Sequence, residues 1–157
     1  MPAGKKSFIN HPPKNLNMKK LLFALISISF LLAACVKENT PTNPVDDRVD
    51  TTINMLAKLG MFINGPYGSV SGNAKIYTMN NMHTLALENV VISNGPDLHV
   101  YISKELLPVN YIDLGKLQST MGNQVYEIPG NPDLVQYKYA LIHCQRYNHL
   151  FGSAELR

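Results

Sequence analysis

From about residue 69 onward the chain alternates apolar and polar side chains. Over 69–77, Val70, Gly72, Ala74 and Ile76 interleave with Ser69, Ser71, Asn73 and Lys75, the two-residue period of a strand with one buried face. Residues 84–92 put Leu85 and Leu87 on one face before Val90-Val91-Ile92 runs apolar on both. Residues 98–103 alternate again, with Leu98, Val100 and Ile102 set against His99, Tyr101 and Ser103. A short strand is predicted over 125–128, a long one over 137–147 and a last short one over 150–156. Asn80-Asn81 and Asn94-Gly95-Pro96-Asp97 mark turns, because asparagine and glycine accept positive φ and proline presets the next bend. Asp113-Leu114-Gly115 reads as a further bend, and Asp97 as a turn residue bonding nearby backbone. Only 51–59 has spacing compatible with a helix (Ile53, Leu56, Ala57, Gly60), and a strand fits it as well. Many short strands with frequent turns predict an all-β domain, an antiparallel sandwich or barrel.

The N-terminal third follows a different pattern. Met18-Lys19-Lys20 is a positive start, 21–31 is apolar apart from two serines, and Leu32-Ala33-Ala34-Cys35 closes the run. These are the parts of a secretory signal, and the apolar core falls short of the about 20 residues a spanning helix needs. The Leu-Ala-Ala-Cys ending is that of a bacterial lipoprotein signal, in which Cys35 becomes the lipid-bearing N-terminal residue. Residues 1–17 then form an upstream extension and 18–34 the signal peptide. Residues 35–50 read as the lipidated cysteine and a polar, proline-bearing tether, too poor in apolar groups to offset the entropy of ordering. Fifteen flexible residues reach roughly 20 Å. Residues 51–157 make one domain, long enough for a single core. The expected location is the bacterial cell envelope, with the membrane as partner through the lipid.

Removing the leader changes the charge. The full chain has 14 Lys+Arg against 11 Asp+Glu, but Lys5, Lys6, Lys14, Lys19 and Lys20 all precede Cys35. The remainder carries nine basic and eleven acidic side chains, a net of −2 in place of +3. No basic stretch is left to favour nucleic acid.

With Cys35 lipidated, Cys144 is the one thiol left. On the predicted strand over 137–147, Ala140, Ile142 and Cys144 share one face, and Tyr139, Leu141, His143 and Gln145 the other. His143 adjoins Cys144 yet points away, so a nucleophilic pair would need His83, His99 or His149 as base. Three readings of Cys144 stand: a small buried hydrophobe, a redox thiol, or a soft ligand to a metal or haem iron. Asp97, His99, His143 and His149 are the candidates to support it. Zinc is disfavoured, because there is no second cysteine in the domain and no paired histidine spacing. Phosphate-binding glycine loops, paired-carboxylate motifs and nucleophile elbows are absent.

An ordered set of motifs adds a resemblance. Ser71-Gly72-Asn73-Ala74, Asn94-Gly95-Pro96-Asp97-Leu98-His99-Val100-Tyr101, Ile112-Asp113-Leu114-Gly115, Gln124-Val125-Tyr126 and His143-Cys144 through Phe151-Gly152-Ser153-Ala154-Glu155-Leu156 occur in one order. That order resembles the electron-transfer DM thirteen domain, also found in Skeletor-type proteins, over roughly residues 59–156. The resemblance implies an all-β fold and a signature cysteine at Cys144, acting as a bare thiol or holding a group such as haem. Members often carry a histidine before the first glycine-containing strand, where this chain has Tyr67-Gly68-Ser69. The reading that follows is a lipid-anchored envelope protein whose redox module exchanges electrons with an unidentified envelope partner and is not a stand-alone enzyme. The alternative is a non-catalytic surface binding or adhesion module with a structural cysteine and no cofactor.

Overall fold

The computed structural model describes residues 39–157; Cys35 and the leader lie outside the described residues. Among the described residues the chain forms nine strands: β1 (Val45–Asp46), β2 (Met55–Asn64), β3 (Val70–Met79), β4 (Met82–Ile92), β5 (Leu98–Ser103), β6 (Tyr111–Lys116), β7 (Met121–Ile128), β8 (Tyr139–Cys144) and β9 (His149–Glu155). They make one mixed sheet in the order β1-β7-β4-β3-β2-β9-β8-β5-β6, curled into a half-barrel. The curl brings edge strand β6 back against β7, and all pairings are antiparallel except β1 with β7. The fold is therefore all-β, as the alternation predicts.

The inward faces build one apolar core. Val70, Ala74 and Ile76 of β3 meet Leu85 and Leu87 of β4, Leu98, Val100 and Ile102 of β5, and Ala140 and Ile142 of β8. Each large aliphatic side chain removed from water there contributes about 1.5–3 kcal/mol. The β3–β4 hairpin turns on Asn80 and Asn81, both at positive φ (51° and 62°), which matches the right-handed twist of the flanking strands.

Three segments differ from the sequence expectation. The 51–59 stretch is no helix: after a turn at 51–53 the chain enters β2, whose outward side chains Leu59, Met61 and Ile63 are apolar and exposed. Apolar residues on both faces erase the period-2 signal and mimic helical spacing. The Asp113-Leu114-Gly115 bend lies inside β6, with Gly115 at φ +108° and a register irregularity between His99 and Tyr101 opposite. The predicted strand over 137–147 is shorter, because the chain turns at 145–148 with Asn148 at φ 54°.

The expected tether is also different over its described part. Thr40 donates both its amide and its hydroxyl to Gly95 O (3.2 and 3.0 Å) and is buried. Thr120 N donates to Pro41 O (2.9 Å), Ser119 Oγ to Asn43 O (2.6 Å), and β1 then pairs with Gly122 and Asn123. Residues 40–47 are thus a strap bonded along the sheet. Gly122, at φ +105°, makes room for it, since a Cβ there would strike Val45 O. The strap lies on a buried polar turn whose bonds are met internally. Gln124 Oε1 accepts from Gln118 N, Ser119 N and Tyr126 Oη, and its Nε2 donates to Ser119 O. A fully satisfied network of this kind rigidifies its site.

Candidate functional site

Cys144 is the last residue of β8, in register with Leu98 of β5 on one side and His149 of β9 on the other. It is 1% exposed, unpaired, and part of the apolar cluster that includes Leu98 and Phe151. The 93–97 loop and the 145–148 turn close this end of the sheet and are joined by Gln145 N donating to Asp97 O (2.9 Å). Gly95 belongs to the same closure. A Cβ there would sit 2.8 Å from both Leu98 Cδ2 and Phe151 Cζ.

The candidate supporting residues gather on the other face. His99 Nδ1 lies 3.0 and 3.1 Å from the two carboxylate oxygens of Asp113, and its Nε2 lies 3.6 Å from Asp97 Oδ1. Asp113 also accepts from Gly115 N (2.8 Å), which fixes the carboxylate against the imidazole. Tyr101, 1% exposed, stacks between Tyr111 (centroids 4.4 Å) and His143 (5.3 Å). Burial, followed by the Asp113 and Tyr111 charges, pushes the Tyr101 hydroxyl well above the usual tyrosine range, so it remains a proton-bearing donor. Burial also holds His143 below 6.5, opposed by a side-chain hydrogen bond from its ring to Asn148, with His149 and His99 adding to the lowering. His99 Nε2 and His143 Nδ1 are both buried without a hydrogen-bond partner.

The candidates to support Cys144 fall in different places around it. His99, His143 and Asp97 come together with Asp113 and Tyr101, but across the sheet from the thiol. His83 is at the far end, 2.8 Å from Thr78 Oγ1, on the wall of a cavity of about 740 Å³ that also touches Asp113 and Pro129. His149 is in register beside Cys144, with its ring stacked on Tyr67 (centroids 3.7 Å). Both nitrogens of His99 face carboxylates, so His99 is not placed as a base for Cys144.

A metal or haem through Cys144 does not fit the residues present. Among the described residues no group of three His, Cys, Asp or Glu side chains is placed to hold a metal ion. The thiol is enclosed by Leu98, Phe151 and their neighbours in a closed apolar cluster, which leaves no space for a macrocycle. What the arrangement does contain is a buried bare thiol on one face and a buried carboxylate–imidazole–tyrosine cluster on the other. Two members of that cluster carried weak sequence signals: Asp113, read as a bend, and Tyr101, read only as the outward half of an alternation.

Comparison with known proteins adds one finding. The pattern of the family described as Electron transfer DM13 matches residues 62–156. No curated protein and no solved structure matches the chain.

Proposed function

We propose a redox role centred on Cys144, from the premise that the chain belongs to the electron-transfer DM13 family. The family match supports a redox-related domain. Assigning the chemistry to Cys144 rests on one observation: among the described residues it is the free cysteine, and it sits at the closed end of β8. In this reading Cys35 carries the lipid, the protein stays at the bacterial envelope, and Cys144 acts as a bare thiol toward an envelope redox partner. Among the described residues no helix is long and apolar enough to cross a membrane, and in this reading the acylated Cys35 is an anchor. At 1% exposure the thiol reacts only if the 93–97 loop parts from the 145–148 turn. The Gln145 N to Asp97 O bond is the backbone link between them.

The test uses protein with Cys35→Ser, its absorbance spectrum, its metal content, and alkylation of Cys144 by a small reagent. Labelling in the native state faster than global unfolding, together with a reversible thiol oxidation that Cys144→Ala abolishes, is the expected result. A colourless, metal-free protein whose Cys144 labels only after denaturation overturns it. In that case Cys144→Ala costs only the about 1–2 kcal/mol of a small core cavity.

One observation favours a second reading, a surface binding module with a structural cysteine. Outward side chains along β2 form an apolar row, Leu56, Leu59, Met61 and Ile63, with Met61 74% exposed. Polar residues normally fill the solvent face of an antiparallel sheet, and a row of this kind marks a contact surface.

A further inference from the structure

We infer that the end of the half-barrel holding Cys144 rests directly on the lipid headgroup layer, with Tyr67 and Tyr147 as its interfacial anchors. The inference deepens the envelope reading above and rests on lipidation of Cys35. Reach limits where the domain can sit. The sequence places Thr40 five residues after Cys35, and Thr40 is bonded to Gly95 O by amide and hydroxyl. Five residues of extended chain span at most about 18 Å. The domain is therefore not on the fifteen-residue leash that composition predicts. Because Thr40 docks at the 93–97 loop, this end of the sheet must face the bilayer that holds the lipid.

This end also displays interfacial side chains. The β2–β3 turn, the 93–97 loop and the β8–β9 turn converge there: Tyr67 N donates to Leu150 O, Ser93 Oγ accepts from Ser69 N, and Gln145 N donates to Asp97 O. Tyr67 and Tyr147 are 56% and 58% exposed, and both contact the ring of His149, Tyr67 by a parallel stack and Tyr147 at 5.9 Å. Rings braced in this way project an apolar body with a polar tip, the side-chain chemistry enriched at the headgroup level. Arg146 is exposed in the same turn, where a cation meets lipid phosphates. The opposite end, with the 104–110 loop, exposes Leu107 and Val109, and its Tyr111 ring is packed back on buried Tyr101; the strap does not dock there. The partner is thus the surface of the bilayer that carries the anchor, and Cys144 lies just behind the contact, in register with His149.

The chain contains no tryptophan, so a single one reports its own position. Full-length lipidated protein in vesicles of phosphatidylethanolamine and phosphatidylglycerol, with lipids brominated near the headgroup, would be compared for Tyr147→Trp, Met61→Trp and Leu107→Trp. The expected result is a blue-shifted emission and strong quenching for Tyr147→Trp, weaker quenching for Met61→Trp and none for Leu107→Trp. Tyr67→Ser added to Tyr147→Trp should reduce the quenching. Stronger quenching at 61 than at 147 means the domain lies on its β2 face and overturns the inference, as does equal or absent quenching at 147 and 107. Mass spectrometry of the same protein reads the acylation of Cys35. If Cys35 is unmodified, the envelope reading fails and the inference with it; if it is acylated and the quenching order fails, only the inference falls. Circular dichroism confirms that each variant is folded before it is scored.

Discussion

The two faces of the β5–β8 pair are made from alternate residues of the same two strands, yet their chemistry has little in common. Inward lie Leu98, Val100, Ile102, Ala140, Ile142 and Cys144, a continuous apolar cluster. Outward lie His99, Tyr101, Leu141 and His143, also buried, with the His99 ring against the Asp113 and Asp97 carboxylates and Tyr101 stacked on Tyr111 and His143. A strand buried on one face normally leaves the other wet. Here the second face is covered as well, so its polar groups must find partners inside the protein, and those left over carry a desolvation cost. The comparison shows that Cys144 and His143, adjacent in sequence, belong to separate chemical systems.

The largest test of that separation is Ile142→Ala, which opens the inner face. A loss of about 2–5 kcal/mol is expected in denaturant unfolding, together with faster alkylation of Cys144 because the cavity adjoins its strand. If labelling is unchanged, the inner face is not one continuous unit. Asp113→Asn acts on the outer face only. Its loss of a charged partner for His99 should cost about 1–3 kcal/mol, while Cys144 labels at its wild-type rate once corrected for stability. A change in labelling would mean the faces are coupled through the sheet.

The smallest expected effect is with pH. His143 is held below 6.5 in the folded protein, so below about pH 6.5 the unfolded chain binds a proton that the folded chain does not yet take. Stability from this group is complete above 6.5, declines as pH falls toward the lowered folded value, and levels off beneath it. His143→Phe keeps a ring against Tyr101 and removes the titration. The slope between wild type and variant should differ in that window alone. Matching slopes in thermal unfolding at pH 5, 6 and 7 would show that the outer face tolerates the charge.

How much of this was legible depends on the range of the interactions. Period-2 alternation over β3, β5 and β8 exposes the core face because side chains in a strand must alternate, and it places Ala140, Ile142 and Cys144 together. The same rule fails for β2, where Met61 and Ile63 are apolar and outward, and for the Asp113 segment, where turn-forming residues sit in a bulged edge strand. The strap left no side-chain pattern at all, because Pro41 and Asn43 are bound through their backbone carbonyls. The ordered motifs carry the family, yet no motif indicates that His99 would bond Asp113, fourteen residues away.

By itself the sequence determined a β domain and a thiol on a core face, and it raised the expectation of a lipid on Cys35, since these follow from local alternation and short-range chemistry. The tertiary structure alone decided that His99 joins His143, Asp113 and Tyr101 on the face across the sheet from that thiol. It also decided that the polar segment over residues 40–47 is fastened along the sheet. Both depend on which strands become neighbours, a choice made by burial over long separations that no local period encodes.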